Sequence, residues 1–201
     1  MLLRLRTICS GMTGVRPEVA ELIADLLNHG ITPVVPRFGS LGCSGDLAPL
    51  SHCALALIGE GDVFDAHGIR MPAAQALTAA GLEPVTLREK EGLALINGTD
   101  GILGTLILAL HDIASLLDCA DIIAAMTIEA LHGTDAVFAP ELHAPLRPHP
   151  GQALSAQTIR RVMADSAIVA SHAEDTTQVQ DAYSLRCAPQ VHGAVRDVVT
   201  F

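Results

Sequence analysis

Residues 39–61 read GSLGCSGDLAPLSHCALALIGEG. The first half is punctuated by glycine and the second is an Ala/Leu run. An ordered loop over residues 31–46, with at most a short strand, therefore hands the chain to a helix from about Leu47 to Ile58. Gly42 and Gly45 bracket Cys43 and Ser44, and their missing Cβ atoms let the backbone fold sharply enough for one amide to approach a neighbouring carbonyl. Residue type excludes two familiar chemistries. A hydrolase nucleophile elbow has Gly-x-Ser-x-Gly, and the residue two after Ser44 is Asp46; a phosphate-binding P-loop has Gly-Lys-Ser or Gly-Lys-Thr, and the segment contains no lysine. Taken alone, the pattern is only a turn.

Helices surround this loop on both sides. Val19, Leu22, Ile23, Leu26 and Leu27 follow the three-four spacing of an amphipathic helix over Pro17 to His29. MPAAQALTAAG gives a short helix closed by Gly81, and Thr86 with Glu89 has the spacing of a capping box that opens the next one. The chain then reads as helical to Leu131, except at INGTDG, where Asn97, Gly98 and Gly101 are poor interior helix residues and predict a break. Residues 139–152, APELHAPLRPHPGQ, carry four prolines and predict a structured loop. One helix is expected over about Ala153 to Ala170, followed by a polar loop over residues 172–193 that leads to a final helix. No repeat, low-complexity segment or domain boundary stands out, so residues 1–201 read as one partial domain.

Composition narrows the function. Of 201 residues, 50% are hydrophobic, 17% charged and only 2% aromatic, which favours a mainly helical core of Ala, Leu, Ile and Val. A formal charge of -10 repels phosphate backbones and anionic membrane surfaces, and so argues against nucleic-acid partners. The most apolar stretch, Gly101 to Leu110, stops well short of the roughly 20 residues of a spanning helix, so no membrane role is expected. The surplus of apolar residues points instead to burial against further chain or other subunits. The opening MLLRLRTICSG interleaves its basic and apolar residues, unlike a secretion signal. Five cysteines without paired spacing fit free thiols in a reducing compartment, giving a cytoplasmic reading. Nine histidines raise a metal site, with His143 and His149 beside Cys119 or Cys187 as the candidates, but His-x5-His without a second close pair matches no standard site.

Three segments in order, GSLGCSGDLAPLSHCALALIGEG, KEGLALINGTDG and VQDAYSLRCAPQVHGA, resemble the active-site segments of the aromatic amino-acid ammonia-lyases, and among them the histidine ammonia-lyases. LRPHPGQ belongs to the same resemblance, which extends over all 201 residues as the middle of a longer chain. It implies a long helical bundle of the ammonia-lyase/fumarase-like type and a homotetramer with active sites shared between subunits. It also implies that Cys43, Ser44 and Gly45 cyclise to the prosthetic group 4-methylidene-imidazol-5-one (MIO), with no external cofactor. The Gly45 nitrogen would attack the Cys43 carbonyl carbon and Ser44 would lose its hydroxyl as water. Cys43 departs from the usual Ala, but only its carbonyl enters the ring.

By the same resemblance, Asn97 lies beside the MIO group and helps bind the substrate amine, while Gln180, Tyr183 and Arg186 belong to the active site. Arg186 suits a substrate carboxylate, since guanidinium offers a two-pronged donor, and Tyr183 is placed for proton transfer or positioning. The three-residue spacing of Gln180, Tyr183 and Arg186 would set them on one side of a helical turn. The implied reaction is non-oxidative deamination, of histidine to urocanate on the strength of YSLRCAPQVHGA and LRPHPGQ. Tyrosine or phenylalanine ammonia-lyases and aminomutases share this chemistry, and a truncated helical assembly fragment without catalysis is the alternative from another class.

Overall fold

The computed structural model describes residues 1–175 and 177–201. Their contacts divide the chain into two compact units, Met1–Ile107 and Leu108–Phe201. The fold is mainly α, as the composition predicts.

In the first unit, α1 (Leu2–Cys9) and α2 (Pro17–Asn28) precede β1 (Thr32–Pro33), and α3 (Leu47–Leu57) follows the glycine-rich loop. β2 (Asp62–Phe64), β3 (Arg70–Pro72), α4 (Ala73–Ala80), α5 (Glu91–Ile96) and the first turns of α6 (Asp100–Ala130) complete it. Val19, Leu22, Ile23 and Leu26, the expected apolar stripe of α2, are buried together with Ile8, Leu57, Leu77 and Leu95. The antiparallel sheet runs β1-β2-β3, with Thr32 opposite Phe64 and Val63 opposite Met71. The sequence reading contains neither β2 nor β3, because strands of three residues are too short to display an alternation. The break expected at INGTDG is present, between α5 and α6.

The capping box at Thr86 and Glu89 does not form. Helix α5 starts four residues later, with Lys90 in the N-cap position, and the glutamate that reaches back is Glu91, whose Oε2 accepts the Arg88 N–H at 2.7 Å. The Glu91 carboxylate is buried and also accepts from Arg16 Nε at 2.8 Å, Arg16 Nη2 at 2.9 Å and the Arg16 backbone N–H at 3.1 Å. The Thr86 carbonyl is itself occupied by Arg16 Nη2 at 2.8 Å. Arg16 therefore ties the start of α2 to the start of α5 through a paired, charge-assisted contact.

In the second unit, the rest of α6 leads through short 3-10 turns at Ala136–Phe138 and Pro140–Leu142 into α7 (Pro150–Val162). Then come α8 (Ala167–Ser171), α9 (Tyr183–Arg186) and α10 (Ala188–Thr200). Ala125, Ile128, Phe138, Ile159 and Met163 form its core. The single helix expected over Ala153 to Ala170 is in fact two. α7 begins earlier because Pro150 occupies its first turn, where a missing N–H costs nothing. It ends at Val162, and Ser166 Oγ then accepts the Val169 N–H at 3.2 Å to start α8. The loop expected to run to residue 193 gives way to helix at Tyr183, and α10 starts at Ala188 with Pro189 in its first turn. Thr176 of that loop lies outside the described residues.

Helices α7 and α10 cross so closely that a Cβ on Gly193 would strike the backbone nitrogen of Gln152, and one on Gly151 would strike the Gly193 carbonyl. Beside this crossing, Arg196 Nη2 donates to Asp121 Oδ2 at 2.7 Å and Asp118 Oδ1 at 2.8 Å, and its Nε donates to Ser155 Oγ at 3.0 Å. His192 Nδ1 lies 2.7 Å from Asp121 Oδ1, and Asp121 is fully buried. Helix α6 leaves Ile107, Leu108, Leu116, Ile123 and Met126 exposed. No helix of the described residues is long and apolar enough to cross a membrane.

Two outcomes follow from this packing. The hydrogen bonds of Arg16 hold the Glu91 carboxyl down at about 2 against an ordinary 4.5, so its stabilising contribution is complete above pH 4.5 and is lost as pH falls toward 2. Denaturant titrations at a series of pH values should give Glu91→Gln a lower midpoint at pH 7 and a flatter acid slope than the unsubstituted chain. For Gly193→Ala, helix propensity alone would add up to about 1 kcal/mol of stability. The backbone collision outweighs it, and unfolding titrations should give a net loss of about 1–3 kcal/mol.

Candidate active site

The residues 42–45 form a tight turn in which the Gly45 N–H donates to the Gly42 carbonyl at 2.7 Å. Cys43 is held at a φ of 42°, a conformation that a residue with a Cβ adopts only at a cost of about 1–3 kcal/mol. Gly45 sits at a φ of 81°, and a Cβ there would lie 2.5 Å from Ser40 Oγ, so only glycine fits. Its nitrogen and the carbon it would attack are separated by Ser44 alone, with no side chain on Gly45 to obstruct the approach. Ser44 Oγ donates to the Gly98 carbonyl at 3.3 Å and accepts the Asp46 N–H at 3.4 Å. The turn is thereby joined to the break between α5 and α6.

Asp46 makes the stronger connection. It precedes α3 in the position of an N-cap, yet makes no side-chain cap to that helix. Its buried carboxylate instead accepts the Gly101 N–H at 2.7 Å and the Ile102 N–H at 3.1 Å, capping α6 from 55 residues away. The first N–H groups of a helix lack intrahelical acceptors, and a buried carboxylate lacks water, so each satisfies the other. Asn97, in the same break, is exposed and its Nδ2 donates to the Leu93 carbonyl at 3.0 Å. From below, the Nη1 of Arg4 donates to the Asn97 carbonyl at 2.7 Å. Cys43, Ser44, Gly45 and Asn97 thus share one corner of the first unit. Asp46 and Arg4, which the sequence reading passes over, hold that corner together.

Gln180, Tyr183 and Arg186 lie in the second unit. Tyr183 and Arg186 stand at the two ends of the single turn of α9, with the Arg186 guanidinium 4.2 Å from the Tyr183 ring centroid and its Nε donating to the Asp181 carbonyl at 3.1 Å. Tyr183 is 73% exposed. Gln180 precedes the helix, so the one-sided helical arrangement expected for the three holds only for Tyr183 and Arg186. The reason is Asp181, whose Oδ2 accepts the Thr134 N–H at 2.8 Å and whose Oδ1 accepts from Gln178 Nε2 at 3.0 Å. Residues 180–182 stay outside the helix, which starts at Tyr183. Gln180 lines an open polar cleft with His132, Thr134 and His172.

The histidine and cysteine candidates for a metal are otherwise engaged or apart. His143 is buried, with Nδ1 2.9 Å from Gln152 Nε2 and Nε2 2.9 Å from the Val137 carbonyl. An amide nitrogen only donates and a carbonyl only accepts, so the neutral ring with its proton on Nε2 satisfies both. Its role is to pin the proline-rich loop to α7. Among the described residues no three His, Cys, Asp or Glu side chains group as a metal site requires.

Comparison with known proteins identifies the family. The aromatic amino acid lyase family model matches residues 1–201. The chain is 63% identical over 199 residues to a histidine ammonia-lyase of Streptomyces coelicolor, covering 99% of this chain and 39% of that protein. Among solved structures it resembles a tyrosine aminomutase from Streptomyces globisporus, with a TM-score of 0.81 and 41% identity over 98% of this chain and 40% of the other. It also resembles histidine ammonia-lyase from Trypanosoma cruzi, with a TM-score of 0.79 and 38% identity over 98% of this chain and 36% of the other. The chain therefore spans about two-fifths of the length of such relatives and, along its whole length, belongs to the aromatic amino acid lyase family.

Proposed function

We propose that this chain is the central part of a histidine ammonia-lyase, residues 1–201 forming part of one catalytic chain that converts histidine to urocanate and ammonia. The observation that carries this reading is the turn at residues 42–45. It combines an unhindered Gly45, a strained Cys43 and a Ser44 hydroxyl held against the second motif. The residues present fit the MIO group: among the described residues nothing beyond the turn's own bond to Gly42 engages the Gly45 nitrogen, and the Cys43 side chain is exposed. Closing the ring forms a bond from the Gly45 nitrogen to the Cys43 carbonyl carbon with loss of one water, and loss of the Ser44 hydroxyl removes a second.

Once formed, the group supplies an electrophilic methylidene that takes up electron density from the substrate. The chain's own residues then do the remaining work. Arg186 pairs with the substrate carboxylate, Asn97 holds the amine near the methylidene, and Gln180 orients the substrate. Tyr183 takes or positions the β-proton as ammonia leaves. From the family resemblance, the reading includes a homotetramer in which Gln180, Tyr183 and Arg186 of one subunit face the MIO group of another. The exposed apolar residues of α6 support such an assembly. Five free cysteines support a cytoplasmic setting. Histidine is preferred over tyrosine because of the 63% identity to a histidine ammonia-lyase, against 41% to a tyrosine aminomutase.

The test is the mass of the peptide spanning Cys43 to Gly45 in the complete protein, together with turnover of histidine, tyrosine and phenylalanine. A deficit of two water molecules and release of urocanate are expected. Ser44→Ala should abolish the second dehydration and reduce turnover by at least about a thousandfold. An unmodified peptide in the complete protein overturns the reading, whereas a modified peptide with turnover of tyrosine alone moves the substrate.

A further inference from the structure

Arg4 is among the few charged residues buried in the first unit, 6% exposed on the inner face of α1. Its Nη1 reaches the Asn97 carbonyl at 2.7 Å and stands 3.3 Å from Asp100 Oδ2, and both side chains of the ion pair are almost fully covered. The two close over Gly98, where an added Cβ would strike Arg4 Nη1 and Asp100 Oδ2 together. As a source of stability the pair is poor. Arg4 Nε and Asp100 Oδ2 are both buried without a hydrogen-bond partner among the described residues, and a buried ion pair left partly unsatisfied recovers little of its desolvation cost. What the pair does accomplish is geometric. It fixes the carbonyl of Asn97 at the point where α5 stops, while Asp46 fixes the first N–H groups of α6 only four residues later.

We propose that the buried Arg4–Asp100 pair is a positioning device that sets the direction of Asn97, making Arg4 a positioning residue for the reaction. The proposal rests on the reading of Asn97 as a substrate and MIO contact. A peptide whose carbonyl is clamped from inside the unit is restrained about its flanking φ and ψ angles, so the exposed Asn97 side chain, whose Nδ2 donates to the Leu93 carbonyl at 3.0 Å, leaves the backbone along one direction next to the Gly98 carbonyl that Ser44 Oγ engages. Without the clamp, the stretch from Asn97 to Gly101 has two glycines and is held from outside by the Asp46 cap and the long bond from Ser44 Oγ to the Gly98 carbonyl.

The experiment uses the complete protein with Arg4→Ala and Arg4→Lys, each alone and combined with Asn97→Ala. Two quantities are read: amide hydrogen exchange of residues 97–101 against the α2 and α3 core, and kcat for histidine. Arg4→Ala is expected to accelerate exchange at residues 97–101 by about tenfold or more while leaving the α2 and α3 amides unchanged. It should also lower kcat by about a hundredfold, the usual consequence of a misplaced group, with the two-water mass deficit retained. In the Asn97→Ala background the same substitution should change kcat by less than about threefold, because the residue through which Arg4 acts is gone. Arg4→Lys keeps the charge toward Asp100 and should fall between; should the alanine variant not fold, the lysine variant carries both comparisons.

Uniformly faster exchange across the first unit, or equal losses of kcat in both backgrounds, overturns the proposal by making Arg4 merely structural. So does locally faster exchange with undiminished kcat. If the unsubstituted protein lacks the mass deficit, the reading of Asn97 fails, and the exchange measurement still decides whether Arg4 holds that segment.

Discussion

The carboxylate of Asp46 at the start of α6 is the contact on which the candidate site depends. A carboxylate sealed from water needs donors, and the first turn of a helix offers donors that nothing within the helix can use. Here the two requirements are met by segments 55 residues apart. The carboxylate belongs to the residue immediately after the tripeptide, so fixing it fixes the turn at residues 42–45, and fixing the turn brings Ser44 within reach of the Gly98 carbonyl. Arg4 closes the same arrangement from the opposite side. Two loops that each have enough glycine to be loose are thereby held as one piece.

Much of this was legible in the sequence, for reasons that are local. Helix α2 announces itself by its apolar spacing, and the turn at Gly42–Gly45 and the break at Asn97 announce themselves by glycine. Glycine marks the turn and the break, whereas the roles of Cys43, Ser44, Gly45 and Asn97 are implied by the family resemblance of the segments that carry them. What was not legible depends on contacts between distant residues. An aspartate just before a helix reads as that helix's own cap, and nothing in the local string at Asp46 says that the carboxylate points elsewhere. Arg4 reads only as one of the basic residues interleaved with the apolar ones of the opening segment, and nothing local marks it as a buried clamp. Gln180 has the same spacing from Tyr183 as Tyr183 has from Arg186, yet the first interval is not helical, and Asp181 within it is drawn to the Thr134 amide. The displaced cap at Glu91 has the same origin, since Arg16 from another helix decides which glutamate turns inward.

The second unit shows how few polar groups suffice to orient a helical core poor in aromatics. Asp121 is completely buried on α6, and it is met by His192 and Arg196, both from α10. Arg196 also reaches Ser155 on α7. The apolar contacts among Ala125, Ile128, Ile159 and Met163 tolerate sliding, because small aliphatic side chains interlock weakly. A fully buried carboxylate does not tolerate it, since loss of either partner leaves an uncompensated charge. Register between the three helices is set by this one cluster, and the Gly151–Gly193 crossing sets how near they come.

That cluster also constrains how the chain is made. Arg196 follows Asp121 by 75 residues and Ser155 by 41. On a ribosome, helix α6 emerges with a carboxylate intended for the interior and nothing to receive it, and α7 arrives before its counterpart as well. Both must wait for nearly the last turn of α10. Until then the Asp121 carboxylate lacks both of its α10 partners, and the exposed apolar residues of α6 are open to association with other helices.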